Sequence, residues 1–259
     1  MPKRDLYFRA PIINAAGMLG FAPDLREFQK TGVSERSDFS WANFGAFVTN
    51  PLSWRPRKPT GIPAVVEYPG GFLLHTGLPN PGFGAARKKY ARQWADAPLP
   101  IIVHLMADRP EETRRMVESL EEIENVMAAE LGFAPLLTDD IILTAIEMSL
   151  GELPLIVSLP MEDAARLAPR VMAAGAAAVS LSAPRGSVFL SESGGIIHGR
   201  LYGPSLFPQG LEIVSRIARA GAPIIGGVGV YTRAQVGVMQ EAGAMAVPLD
   251  AVLWRGGFS

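Results

Sequence analysis

The chain has 259 residues, 48% of them hydrophobic and 19% charged, with no cysteine and a formal net charge of −1. The missing cysteine excludes disulfide staples, thiolate metal sites and cysteine nucleophiles, and the balanced charge argues against nucleic-acid binding, which calls for a basic surplus. Mean hydropathy is +0.19, yet no apolar run approaches the ~18 uncharged residues of a membrane span. Met1-Pro2-Lys3-Arg4-Asp5 leads into no secretory core. The expectation is a single cytoplasmic α/β domain over residues 1–259.

In chain order, Ala10-Pro11-Ile12-Ile13-Asn14 is the first predicted strand and Gly45-Ala46-Phe47-Val48-Thr49 the second. Pro51 to Gly82 is a Pro/Gly-rich excursion with no clear helix. Leu99-Pro100-Ile101-Ile102-Val103 repeats the opening pattern, a proline followed by a short aliphatic run. Proline suits the first residue of a strand, and continuous apolar runs mark strands buried on both faces. Asp108-Arg109-Pro110-Glu111-Glu112 reads as a helix start with Asp108 as N-cap. The segment from Asn125 to Leu131 is a less regular fourth strand, and Thr138-Asp139-Asp140 opens a helix to about Leu150.

Leu153-Pro154-Leu155-Ile156-Val157 and Gly175-Ala176-Ala177-Ala178-Val179 are strands five and six, separated by a helix from Met161 to Ala174. A helix from Pro208 to Ala220 precedes Ala222-Pro223-Ile224-Ile225-Gly226. Thr232 and Gln235 have capping-box spacing before the eighth strand, Gly243-Ala244-Met245-Ala246-Val247. Eight strands alternating with helices imply a (β/α)₈ TIM barrel with room for only a truncated eighth helix. An open doubly wound sheet is the alternative.

Reacting groups in such barrels come from the C-terminal strand ends and the loops beyond. Gly226, Gly227 and Gly229 end the seventh strand just before a helix, where backbone N–H groups suit a phosphate, or form a tight turn and nothing more. Glu130 is a candidate general base, or a carboxylate paired to a nearby arginine or lysine. His75, His104 and His198 lack metal-ligand spacing, so no metal site is expected. The clusters Arg55-Pro56-Arg57-Lys58 and Arg87-Lys88-Lys89 read as solvated surface.

Several segments together resemble the dihydroorotate dehydrogenase family of flavin-mononucleotide barrels. Ala10 to Gly17 is similar to that family's first strand, and Gly77-Leu78-Pro79-Asn80-Pro81-Gly82 to its Gly-Leu-x-Asn-Pro-Gly. Gly199-Arg200-Leu201-Tyr202-Gly203-Pro204 resembles its Gly-Gly-x-Ser-Gly-Pro, and Pro223 to Gly229 its phosphate-binding turn. The resemblance implies an FMN-type oxidoreductase acting on a small molecule, with Ala16, Gly17, Asn50, Ser158, Gly203, Gly226, Gly227 and Gly229 at the cofactor and Glu130 as the catalytic candidate. A phosphate-bearing ligand is expected; charge and hydropathy point to no nucleic-acid or membrane partner, and the truncated eighth helix leaves apolar barrel surface for a partner chain to cover in a homo- or hetero-oligomer.

The departures are consistent in direction. Asn50 and Ser158 stand where the family places flavin-contacting lysines, and Leu74 and Ala183 where it places asparagines. Gly132-Phe133-Ala134-Pro135 replaces the loop carrying the family's base, and Asp250-Ala251 the Gly-Thr of its phosphate cup. Dihydroorotate oxidation itself is therefore doubtful. The competing expectation is a flavin-free pseudoenzyme serving as a ligand-binding or partner subunit.

Overall fold

Four prolines stand immediately before a strand, and each lends the sheet its carbonyl while needing no N–H of its own. The carbonyl of Pro11 accepts from Val247, that of Pro100 from Phe47, that of Pro154 from Ala129 and that of Pro223 from Val179, at 2.7–3.1 Å. The repeat noticed in the sequence thus marks the points where strands enter the sheet. The computed structural model describes residues 6–24, 43–61, 64–135, 137–190, 194–255 and 258; residues 1–5, read above for a leader, lie outside them.

The chain runs through β1 (Ile12–Asn14), β2 (Phe44–Val48), the hairpin β3 (Val65–Tyr68) and β4 (Gly71–Leu74), then α1 (Phe83–Ala95) and β5 (Ile101–Met106). It continues with α2 (Pro110–Glu121), β6 (Val126–Gly132), α3 (Asp139–Met148), β7 (Leu155–Pro160), α4 (Met161–Ala173) and β8 (Ala178–Ser182). A second hairpin, β9 (Arg185–Leu190) and β10 (Gly195–Tyr202), interrupts the alternation. The last elements are α5 (Phe207–Arg219), β11 (Ile224–Ile225), α6 (Arg233–Glu241), β12 (Ala244–Leu249) and a four-residue α7 (Val252–Arg255).

Eight strands close into a parallel barrel in the order β1-β12-β11-β8-β7-β6-β5-β2, with a helix between successive barrel strands from β2 onward among the described residues. This is the expected (β/α)₈ barrel. The eighth helix is the expected stub. Two features differ from the sequence reading. The excursion after β2 has strands of its own: β3 and β4 join β9 and β10 in an antiparallel sheet of order β3-β4-β10-β9. Asp108 does not cap α2. Arg109 holds the N-cap position, and the Asp108 carboxylate accepts from the Ala134 N–H at 3.0 Å. Pro110, at the first helical position, brings no N–H to be capped, so Asp108 is free to tie down the loop after β6. The Thr232/Gln235 capping box forms, with N–H···O distances of 3.2 and 3.1 Å.

Alternation along the strands sorts their side chains into two layers. Phe47, Val103, Leu131, Val157 and Val179 face the helices, whereas Val48, Ile102, Ala128, Ile156, Ala178 and Ile225 fill the barrel's inside. Further along, toward the C-terminal ends, the inward positions turn polar: Asn14, His104, Glu130, Ser158 and Ser180, each 9% exposed or less. The apolar plug supports a polar floor, and the floor opens upward into the site. No helix of the described residues is long and apolar enough to cross a membrane.

Candidate functional site

A cavity of about 980 Å³ occupies the C-terminal mouth of the barrel, roofed by the β3-β4-β10-β9 sheet. At its floor, parallel register sets His104 beside Glu130 on neighbouring strands. His104 Nδ1 lies 2.6 Å from Glu130 Oε2, and the Ser180 hydroxyl donates to Glu130 Oε1. The carboxylate therefore accepts a hydrogen bond from Nδ1–H, fixing the ring with Nε2 toward Gly132, where a Cβ would collide with it. Burial pushes the Glu130 carboxyl upward, but His104 and the two hydrogen bonds outweigh it and hold the group below its ordinary value. The arginine or lysine pairing open to Glu130 in the sequence is not what forms. A histidine and a serine hold it, because the inward positions of β5 and β8 are the ones facing β6's.

The second feature is at the β11–α6 turn. Gly229, at φ +73°, directs its N–H to Asp250 Oδ2 (3.3 Å), and the Ala251 N–H donates to Asp250 Oδ1 (2.5 Å). Asp250 is 4% exposed, and burial lifts its pKa to about 6. The N–H groups placed to receive an anion thus already receive one, supplied by the chain itself. The glycines of this turn also have packing reasons to be glycine. A Cβ on Gly226 would meet Val214, one on Gly227 the carbonyl of Pro248, and one on Gly229 the backbone at Phe207.

Of the candidate residues, Ala16, Glu130, Ser158 and Gly227 line the cavity. Asn50 is occupied elsewhere: its side-chain oxygen accepts from the Gly20 N–H at 3.0 Å and its own N–H donates to the Gly20 carbonyl at 2.7 Å. Gly17, Gly203, Gly226 and Gly229 do not line it; Gly203 packs against the backbone of Gly70 and Gly71, where a Cβ would not fit. Asn80 of the Gly-Leu-x-Asn-Pro-Gly segment organises the loop. It accepts from the Ser53 and Gly82 N–H groups and donates to Ser53 Oγ and the Leu78 carbonyl. Leu78, at the rim, sits at φ +54°, a conformation costly for a non-glycine residue and held by this loop.

Sequence reasoning missed His104 and Ser180 as partners of Glu130, and Arg200 altogether, which was quoted only inside a motif. Arg185 and Arg200 line the cavity from the roof. Arg200 donates to Ser182 Oγ at 3.1 Å and to the Ala183 carbonyl, and Arg185 to the Phe133 carbonyl at 3.1 Å. No lysine lines the cavity among the described residues. Among those residues, too, no group of three or more His, Cys, Asp or Glu is placed to hold a metal ion.

Comparison with known proteins matches this chain to the catalytic subunits of dihydroorotate dehydrogenase B (NAD(+)). It is 30% identical over 264 residues to that of Pelobacter propionicus, across 93% of this chain and 83% of that protein. The protein of the same name from Geotalea daltonii is 28% identical over 261 residues, across 92% and 82%. The Pyrococcus furiosus one is 32% identical over 126 residues, covering 48% of this chain. No protein-family model matches the chain.

Proposed function

The chain belongs to the dihydroorotate dehydrogenase family, and we propose that within it this barrel binds a small molecule at its C-terminal mouth without holding flavin mononucleotide. One observation carries the reading: the Asp250 carboxylate occupies the N–H groups of Gly229 and Ala251. A phosphate is held at a helix N-terminus by free N–H donors and a favourable dipole. Here a phosphate would find those donors taken and a carboxylate in its place, so the two anions would repel. The residues present do not fit the phosphate. Two further features point the same way: Asn50 is tied to Gly20 and Ser158 offers no positive charge; Leu74 and Ala183 bear on the substrate instead, leaving the polar edge of an orotate-like ligand nothing to bond. Each buried polar group left unpaired costs ~1–3 kcal/mol.

A second reading, an oxidoreductase that keeps flavin through other contacts, is favoured by the size of the cavity. At about 980 Å³ it sits at the top of the ~300–1,000 Å³ range of small-molecule sites, room enough for a tricyclic ring. The purified native protein separates the two. Flavin-free binding predicts a colourless preparation whose melting temperature does not move on adding flavin mononucleotide. Asp250→Gly with Ala251→Thr, which reopens the cup, is expected to gain a thermal shift with the same ligand. Stoichiometric flavin absorbance in the native protein would sink the proposal.

A further inference from the structure

We propose that the cavity carries a built oxyanion site formed by Arg185 and Arg200 of the roof hairpin, taking the carboxylate or phosphate of a small molecule with a largely apolar body. This rests on the reading of the barrel as a small-molecule binder and names the chemistry of its ligand. Arg185 and Arg200 are direct cross-strand partners of β9 and β10, so their side chains leave the same face of the hairpin. That face is turned to the cavity. Both residues line it, as do Ser187 and His198, the cross-strand pair two residues further along.

Like charges directly opposite on a sheet repel, and a fold tolerates the pair when something anionic lies between or beside them. Among the described residues neither guanidinium forms an ion pair with a carboxylate; both are anchored by neutral oxygens, those of Phe133, Ser182 and Ala183. Glu162, the nearby acid, accepts from the backbone N–H of Arg185 at 3.3 Å; its charge reaches Arg200, but it makes no ion-pair contact with either guanidinium. Glu130 is engaged by His104 and Ser180, and Asp250 by the β11–α6 turn. Burial pushes the Arg200 guanidinium below its ordinary value and Arg185 adds to the push, while Tyr202 and Glu162 oppose it.

The anchoring oxygens use only part of each guanidinium's donors, and the fork geometry of the remainder matches a planar or tetrahedral oxyanion. At the Ser187–His198 pair, His198 Nδ1 lies 2.8 Å from Ser187 Oγ, so polar groups continue toward the rim. The rest of the wall, including Leu74, Met106, Phe133, Leu181 and Val228, asks for an apolar body. The anion site therefore sits on the roof, and the β11–α6 turn keeps its own carboxylate.

Calorimetric titration of the full chain with benzoate and with phenyl phosphate tests this, and the probe that binds tells which oxyanion the site takes. Arg200→Met and Arg185→Met are each expected to weaken the binding probe about 10- to 100-fold, with Arg200→Lys retaining part of the affinity. Without ligand, Arg200→Met exchanges its hydrogen bonds to Ser182 and Ala183 for a relieved repulsion and should melt within a few degrees of the native protein at low salt; Arg185→Met, anchored by a single carbonyl, gives an independent reading if Arg200→Met unfolds. Both methionine variants binding within about twofold of native, or native protein binding neither probe, overturns the site. Flavin in the native protein together with arginine-dependent probe binding would overturn the flavin-free reading and leave this site standing. A colourless protein that binds neither probe would do the reverse.

Discussion

Asp250 is the residue whose chemistry most separates this chain from a phosphate-binding barrel, and its titration can be followed directly. Its folded pKa, about 6, lies above the ordinary value of 3.8 because burial disfavours the charged form. The folded state therefore holds the proton more tightly than the unfolded one. Stability is fully present below about pH 4, falls as pH rises toward about 6, and is flat beyond. The cost above that window is on the order of 3 kcal/mol for a shift of this size. Asp250→Asn never ionises, though its amide offers one acceptor oxygen to the two N–H groups, so its stability is expected to stay level across the window in which the native protein's falls. Melting curves across pH check this; native and variant profiles that run parallel would show that Asp250 ionises at no cost. Glu130 titrates in the opposite sense, below the ordinary carboxylate value, its stabilisation lost as pH falls through its lowered pKa. It is common to both proteins and cancels in their difference.

At the scale of elements, glycine distinguishes packing from freedom. Gly227 follows the two-residue β11, and a Cβ there would run into the Pro248 carbonyl of β12. Gly237, in the middle of α6, has nothing within 4 Å of the corresponding position. Gly227→Ala is therefore expected to destabilise by ~1–3 kcal/mol or more through overpacking, and Gly237→Ala to stabilise by ~0.5–1 kcal/mol through lost backbone entropy in the unfolded chain. Urea denaturation of the two variants checks the contrast; equal effects would mean that the strand end yields freely. The same contrast explains what was legible. The proline-led strands could be read because each rule is local: a carbonyl offered, no N–H required, a buried run after it. β3, β4, β9 and β10 could not, because the two hairpins form one roof only where residues 72–74 pair with residues 200–202. β9 and most of β10 are also half-exposed, leaving Phe189 and Ile196 in solvent at 65% and 62%. Arg200 was hidden with them, since its role exists only once β10 lies opposite β9. Glu130 was visible as a strand-end acid, but its partners depend on the register of β5 and β6, which shifts between Ile101 and Ile102. Asp250 was visible as a departure from a motif; that it fills the cup itself is a matter of two backbone N–H directions.

The whole barrel depends on a closure that its shortest parallel contacts could not make alone. β1 has three residues, and its pairing with β2 shifts register between Ile12 and Ile13. Where that ladder runs out, the fully buried Asn14 extends it with its side chain. Its Nδ2 donates to the Val48 carbonyl at 2.6 Å and its Oδ1 accepts the Val48 N–H at 2.9 Å, reproducing a backbone pair across the seam. On the other side, the Asn14 backbone continues the register with Leu249 of β12, one residue before Asp250. Asn14 thus ties the first strand to the second at the level of the polar floor, and its register partner Leu249 immediately precedes Asp250. Removing it leaves a buried N–H and a buried carbonyl without partners, each costing ~1–3 kcal/mol. Asn14→Ala is expected to lower stability by ~2–5 kcal/mol, read from denaturant midpoints at unchanged m-value. It should also lower hydrogen-exchange protection in β1 and β2 before that of β5 to β8, because opening the seam frees two strands while the remaining ladder stays paired. A loss of protection spread evenly around the barrel would instead mean that the seam is no weaker than the rest, and that the register shift beside β1 has no mechanical consequence.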